Sequence, residues 1–291
     1  MLEEYANFCY RIIGGYALYL LEYFESLRPQ LSKADVEISL PEYISMILFS
    51  SIAVGISTSI VFGTMFTISL GLPGVIFGFS LGIMSAFVTA AGFYVFPGVM
   101  IKSRASKIRD TIPFATMYLS TLAGTGTSLP EIFENLAEVD EYGEVSKEAE
   151  KIHRDIETFG MDVSESLERA ANRTPSQDFK ELMWGINHVI TTGGSLREFL
   201  KQRSEKLMED YQRRIEEFSE QLSLLVEMYI TLIIVGSIIF TSMSAVMSSF
   251  SSQMSPQFIV NLQVISIFFG LPVISMMFII LVDGMSPGGI D

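Results

Sequence analysis

The sequence predicts an all-α, polytopic membrane protein, with two transmembrane helical hairpins flanking a cytoplasmic six-helix bundle. Three observations predict it. The chain has 291 residues, of which 49% are hydrophobic and 18% charged, with a mean hydropathy of +0.41. Its 19 Lys and Arg leave two stretches empty: none falls between residues 34 and 101, and none between 215 and 291. Four apolar runs fill those stretches, whereas residues 101–220 show helical periodicity without strand-like alternation. The chain divides accordingly into an N-terminal amphipathic unit with its linker (1–40), a first hairpin (41–100), the bundle (101–220), and a second hairpin with a short tail (221–291).

In the N-terminal unit Tyr5, Phe8, Cys9, Ile12, Ile13, Tyr16, Leu20, Tyr23, Phe24 and Leu27 recur at i, i+3/i+4 spacing. This is the pattern of an amphipathic helix. Its apolar core, residues 12–21, is too short to span a bilayer. The helix is expected along the membrane face or against the bundle. Its acids favour a protein contact over a lipid one. The acidic start of the chain does not read as a signal peptide.

The apolar runs cover residues 44–70, 74–100, 222–247 and 258–282. Each makes about 38 Å of helix at 1.5 Å per residue, enough to cross a ~30 Å hydrocarbon core with some tilt. Gly71-Leu72-Pro73 separates the first pair and residues 248–257 the second, and neither break carries a charge. Small residues recur every fourth position in the first pair: Ser51, Gly55, Ser59, Gly63, Thr67 and Gly71, then Gly74, Gly78, Gly82, Ala86 and Ala90. Such ridges let two backbones approach closely, so they are expected to face each other or a second subunit. Gly78-Phe79-Ser80-Leu81-Gly82 fits the G-x-S-x-G pattern, but mid-helix in an apolar run it lacks the strand–turn–helix a nucleophile elbow needs. Glu227 lies one turn into the third run. A carboxylate at membrane depth is a functional candidate; at headgroup level it costs little.

Within 101–220, Thr111 reads as an N-cap with Pro113 in the first turn of a helix that ends at Gly124–Gly126. Ser128 caps a second helix, which runs to about residue 139. A polar stretch leads to a third, ending at Gly160. Asp162 caps a fourth, Pro175 opens a fifth that stops at Gly193-Gly194, and Ser195 caps a sixth. This last helix shows no breaker before the third apolar run and is expected to enter the membrane as one rod. At the three recurring junctions glycine (Gly124 and Gly126; Gly160; Gly193 and Gly194) supplies the left-handed position, and Ser128, Asp162 or Ser195 caps the next helix.

The composition also excludes functions. A net charge of −14 disfavours nucleic acid as a partner. One cysteine and two histidines leave no Cys- or His-based metal site, and no cofactor is read. Gly124-x-Gly126 is no phosphate loop, since no Lys follows it. The block Lys102, Arg104, Lys107 and Arg109 abuts the second run. By the positive-inside rule it places both termini and residues 101–220 in the cytoplasm, with the protein in the cytoplasmic membrane. With Arg197, Lys201 and Arg203, these are the basic residues expected to contact a cytoplasmic partner or anionic lipid.

Gly126-Thr127-Ser128-Leu129 and Thr192-Gly193-Gly194-Ser195-Leu196, with Gly160 and Leu167 between them, resemble the turn motifs of the type II secretion system F family. These are the GspF-, PilC-, TadC- and FlaJ-like platform proteins of secretion systems, type IV pili and the archaellum. The resemblance covers residues 101–220 by motif and the whole chain by membrane layout. One bundle between two hairpins looks most like the archaeal and tight-adherence branches. It implies a non-enzymatic platform that docks on a hexameric PilB/GspE-like ATPase and helps move pilin-like subunits into a filament. A single bundle implies pairing with itself or with a paralogue. The other function the residues allow is a transporter or channel subunit using Glu227.

Overall fold

The computed structural model describes residues 2–21, 24–36, 38–250, 261 and 264–284, and among these it is helical with no strand. It forms two compact units, Met1–Lys201 and Gln202–Asp291. Three helices are long and apolar enough to cross a membrane, with candidate spans at Leu40–Ile68, Pro73–Ala123 and Leu196–Val246. The fourth apolar run is described only in part, as a shorter apolar helix at Phe268–Asp283. Residues 258–260, 262 and 263 of that run, and 251–257 of the turn expected at 248–257, lie outside the described residues.

The first unit opens with α1 (Leu2–Leu20), a 3-10 turn at Glu25–Leu27, and α2 (Arg28–Lys33). α1 packs on the start of α3 (Leu40–Leu70). The face it buries is smaller than the spacing predicts: Ala6, Cys9 and Ala17 are inside, while Phe8 and Ile12 are exposed. Small residues let the two helices approach, and rings fasten the contact. Tyr5 and Phe8 meet Phe49 edge-on at 6.2 and 5.9 Å, and the Tyr5 hydroxyl bonds Ser50 Oγ at 3.0 Å.

Ser39 begins α3; Pro41 lies in its first turn, and the Glu42 carboxylate accepts from the Ser39 amide at 2.8 Å. Gly71 alone makes the turn into α4 (Leu72–Ala123), at φ +70°, where a Cβ would be strained. α4 is 52 residues long and passes through Pro97 and Pro113 without a break. Thr111 is therefore not an N-cap; its hydroxyl donates back to the Lys107 carbonyl at 3.0 Å. The helix continues because Ile108, Ile112, Ala115 and Leu119 form one buried stripe on both sides of Pro113, so packing outweighs the lost hydrogen bond. At Pro97 the carbonyl freed is that of Phe93. The Tyr43 hydroxyl donates to it at 2.7 Å, joining α3 to α4 where α4 lacks its own bond.

α5 (Leu129–Ala137), a 3-10 turn at Asp140–Tyr142, α6 (Glu144–Glu157), α7 (Val163–Arg173) and α8 (Gln177–Thr192) then pack with the end of α4 and the first turn of α9 (Leu196–Phe250). The core is Ile132, Phe133, Leu136, Ile152, Leu167, Phe179, Leu182 and Leu200, with the α4 stripe. Asp162 accepts from the Ser164 amide at 2.9 Å and Ser195 from Glu198 at 3.3 Å. Gly126, Gly160 and Gly193 hold positive φ, whereas Gly124 is right-handed, because Gly126 takes the reversal at that junction. Helix α8 begins on Ser176, one residue after Pro175; its hydroxyl accepts from Phe179.

In the second unit, α9 continues to Phe250, and a π-turn at Ser266–Gly270 leads into α10 (Leu271–Asp283). Tyr229 of α9 stacks on Phe278 of α10 at 4.4 Å, and its hydroxyl bonds Ser275 Oγ at 2.9 Å.

Candidate functional site

Two places in the first unit concentrate close contacts: the glycine seam between α3 and α4, and the joint built on Arg104. Along the seam the helices run antiparallel with their backbones in contact. A Cβ built on Gly78 would lie 2.3 Å from Gly63 Cα, on Gly82 2.7 Å from the Gly55 carbonyl oxygen, and on Gly74 2.3 Å from the Phe66 carbonyl carbon. A Cβ on Gly55 would lie 2.9 Å from Ala86 Cβ. The two ridges meet each other, which is how helices gain packing energy where lipid removes the hydrophobic drive. Outward, large apolar residues such as Ile76 (74% exposed) and Phe87 (75%) face the surroundings.

The joint is built on Arg104, one turn past the apolar part of α4. The guanidinium is only 6% exposed. Its Nε donates to Glu144 at 2.8 Å, Nη2 to Glu148 at 2.6 Å, and Nη1 to the Lys33 carbonyl at 3.0 Å; Asp35 lies 3.4 Å from Nη2. Glu148 is fully buried and also accepts from Arg173 Nε at 2.7 Å, while Arg173 Nη1 reaches Asp155 at 3.2 Å. Lys151 bonds Asp35. Asp35 holds φ +57°, a left-handed conformation that aspartate tolerates, just past the end of α2. One network thus ties the N-terminal segment, α4, α6 and α7. Arg104 is accordingly not an exposed contact for a partner or lipid: its fork geometry suits several carboxylates at once, and packing closes over it.

Burial opposes ionisation of Asp35, but the Lys151 hydrogen bond and the charges of Arg104, Lys151 and Arg173 outweigh it and hold the carboxyl below its usual range. Burial likewise works against Glu144, and the hydrogen bonds from Lys147 and Arg104 overcome it, lowering that carboxyl too. A folded pKa below the unfolded value means the stabilisation is complete above the unfolded carboxylate range and fades as pH falls through the folded values. Urea unfolding should therefore show a stability that is flat above about pH 5 and declines below about pH 4.5. Asp35→Asn with Glu144→Gln should lower the plateau and flatten the acid limb. An unchanged limb would remove these two carboxyls from the joint's energetics.

The other expected contact residues are placed differently. Lys102, Lys107, Arg109, Arg197 and Lys201 are exposed, and Arg203 is half-buried. Glu227 is exposed on α9, and Tyr229, two residues on, points its hydroxyl to Ser275. Among the described residues no cluster of His, Cys, Asp and Glu could hold a metal. The sequence reading missed Asp35, Glu144, Glu148 and Arg173. A signal existed: Glu144, Glu148 and Asp155 stand at i, i+4 and i+11 on α6, beside the buried Val145, Ala149 and Ile152. It missed Gly185 as well, where a Cβ would meet the Phe199 ring at 2.2 Å, so α8 seats the first turn of α9.

Residues 115–244 match the family model of the type II secretion system (T2SS), protein F. An uncharacterized protein of Methanocaldococcus jannaschii is 28% identical over 200 residues, covering 66% of this chain and 33% of the relative. Flagella accessory protein J of the same organism is 26% identical over 145 residues, 50% of this chain and 25% of the relative. Flagella accessory protein J of Methanococcus voltae is 26% identical over 165 residues, 56% and 27% respectively. The chain thus spans a quarter to a third of the length of these relatives. No solved structure matches it.

Proposed function

We propose that this chain, whose residues 115–244 match the family model of the type II secretion system (T2SS), protein F, is the membrane platform of a filament-assembly or secretion machine of the archaellum and type IV pilus kind. The observation that carries the proposal is the continuity of α4 and α9. Each runs unbroken from the bundle into an apolar segment, over 52 and 55 residues, about 80 Å of helix. Within the first unit, α4 gives a displacement or rotation imposed on the bundle no loop in which to dissipate before the apolar segment. The Arg104 network adds a third tie, from the bundle to the segment between α1 and α3.

In this reading the platform is not an enzyme. A cytoplasmic hexameric ATPase of the PilB/GspE kind supplies the work, and the bundle receives it through the exposed Lys102, Lys107, Arg109, Arg197 and Lys201. The hairpins pass the movement to pilin-like subunits in the cytoplasmic membrane. Both termini and residues 101–220 lie on the cytoplasmic side, where the basic residues are. The protein works as a homodimer or with a paralogue.

Co-purification of the detergent-solubilised protein with candidate filament ATPases tests this. One ATPase should bind and change its hydrolysis rate, and charge reversal at Lys102, Lys107 and Lys201 should weaken the binding several-fold. If none binds, and Glu227→Gln abolishes solute or proton flux in liposomes, the protein is a transporter subunit instead.

A further inference from the structure

Helix α4 carries two prolines beyond its first turn, and they stand in opposite surroundings. Each removes the amide that would bond the carbonyl four residues back. Around Pro113 the loss is covered. Ile112, Pro113, Ala115 and Thr116 are buried, and the stripe from Ile108 to Leu119 holds the helix against the bundle. Around Pro97 it is not. Among the described residues 91–99 of α4, Pro97 alone is buried, while Tyr94, Val95, Phe96 and Val99 are exposed. Pro97 itself borders a groove of about 510 Å³ that it shares with Tyr43, Met46 and Phe93. A helix that lacks one bond and has few side contacts is the place where bending costs least.

The helix is fixed on both sides of this stretch. Toward Gly71 its backbone lies against α3, at Gly78 on Gly63 and at Gly82 on Gly55. Toward the bundle, Arg104 is 6% exposed and donates to Glu144 and Glu148. Between these two anchorages the Tyr43 hydroxyl crosses from α3 and donates to the Phe93 carbonyl at 2.7 Å. That carbonyl is the acceptor that Pro97 leaves without its helical partner. Tyr43 is 4% exposed and belongs to one buried cluster with Leu40, Ile44 and Ile47, so its ring is held in place. The bond therefore ties the weakest part of α4 to a rigid part of α3.

We propose that residues 93–97 of α4 are a hinge between the glycine seam and the Arg104 joint, and that Tyr43 is the clasp that holds it straight. With the clasp closed, α4 is one rod. When the hydroxyl leaves the Phe93 carbonyl, α4 bends between its two anchorages while the helix on either side stays intact. Push and twist still pass along the axis, and the direction of the bundle-side half becomes adjustable. The hinge stands on the geometry of α4 and α3 alone. Its use, letting the bundle tilt against the hairpin under an applied stroke, rests on the platform reading.

Double electron–electron resonance on the detergent-solubilised full chain tests this, with nitroxides on Val88→Cys and Met117→Cys in a Cys9→Ala background. Both positions are exposed on α4, about 43 Å apart along a straight helix. The parent should give one narrow distance distribution. Tyr43→Phe keeps the ring and removes the hydroxyl. It should broaden the distribution toward shorter distances and speed amide exchange at residues 98–101 several-fold, with residues 112–119 unmoved. Pro97→Ala returns an amide to the Phe93 carbonyl, so Pro97→Ala with Tyr43→Phe should be as narrow as the parent. A tyrosine that acted only through packing would not be rescued in this way. If Tyr43→Phe does not accumulate, Pro97→Ala alone carries the test and should slow exchange at 98–101 several-fold. An unbroadened Tyr43→Phe distribution, a broadening that Pro97→Ala leaves in place, or exchange unmoved by Pro97→Ala each overturn the hinge. None of these readouts involves an ATPase, so the hinge can fail while the platform reading stands, and the reverse.

Discussion

Replacing Arg104 with methionine should cost about 3–5 kcal/mol of stability, the range for removing one partner of a buried ion pair. The side chain is 6% exposed and serves Glu144, Glu148, Asp35 and the Lys33 carbonyl. Methionine fills much of the volume but leaves Glu148 fully buried with Arg173 as its remaining ion-pair partner. Arg104→Lys should recover only part of the loss, since an ammonium cannot fork to several acceptors. Arg104→Met with Glu148→Met should be less damaging than the sum of its parts, because the stranded charge is gone. Unfolding of the purified protein measures all three. The second readout is amide exchange at residues 31–36, which should accelerate in Arg104→Met as the N-terminal segment comes away from the bundle. A loss no greater than that of the exposed Lys102→Met would mean the network is a surface ornament.

The second large effect is expected in the glycine seam. Gly78→Leu would place its Cβ 2.3 Å from Gly63 Cα. The opposing atoms are backbone, so no rotamer change relieves the clash and the helices must part. Overpacking of this kind costs about 3 kcal/mol or more when nothing can yield, and separating α3 from α4 also forfeits the contacts at Gly55, Gly74 and Gly82. Gly98→Leu is the control. It lies in the same helix with nothing within 4 Å of its Cβ and should be tolerated. Thermal unfolding in detergent compares the pair, and filament or secretion output in cells reports whether the seam is needed for movement. Equal behaviour of the two variants would show that the ridges do not pack.

Much of the architecture was legible because it rests on local chemistry. Asp162 and Ser195 read as caps from their place after glycine, and both accept the expected amide bonds. The absence of a breaker after Ser195 predicted a single rod, and α9 is one. The fourfold glycine spacing on both first runs made facing ridges an expectation before any contact was visible. The errors come from places where a distant partner overrides a local signal. Thr111 followed by Pro113 has the chemistry of a helix start, yet the buried stripe from Ile108 to Leu119 carries α4 straight through. On α1, Cys9 of the predicted apolar face is buried, while Phe8 and Ile12 of that face are exposed.

Arg104 draws the boundary most sharply. By sequence it is one of four basic residues flanking a span, indistinguishable from Lys102. Its burial depends on Asp35, Glu144 and Glu148, which lie 40 to 69 positions away and reach it only once α2 and α6 are packed. The sequence alone determined what depends on composition and period: apolar helices long enough for a membrane, a helical bundle between them, and the capped turns within it. Only the tertiary structure decided which charges are hidden, which glycines touch, and where a groove stays open. Those are relations between residues far apart in the chain, and no local spacing encodes them.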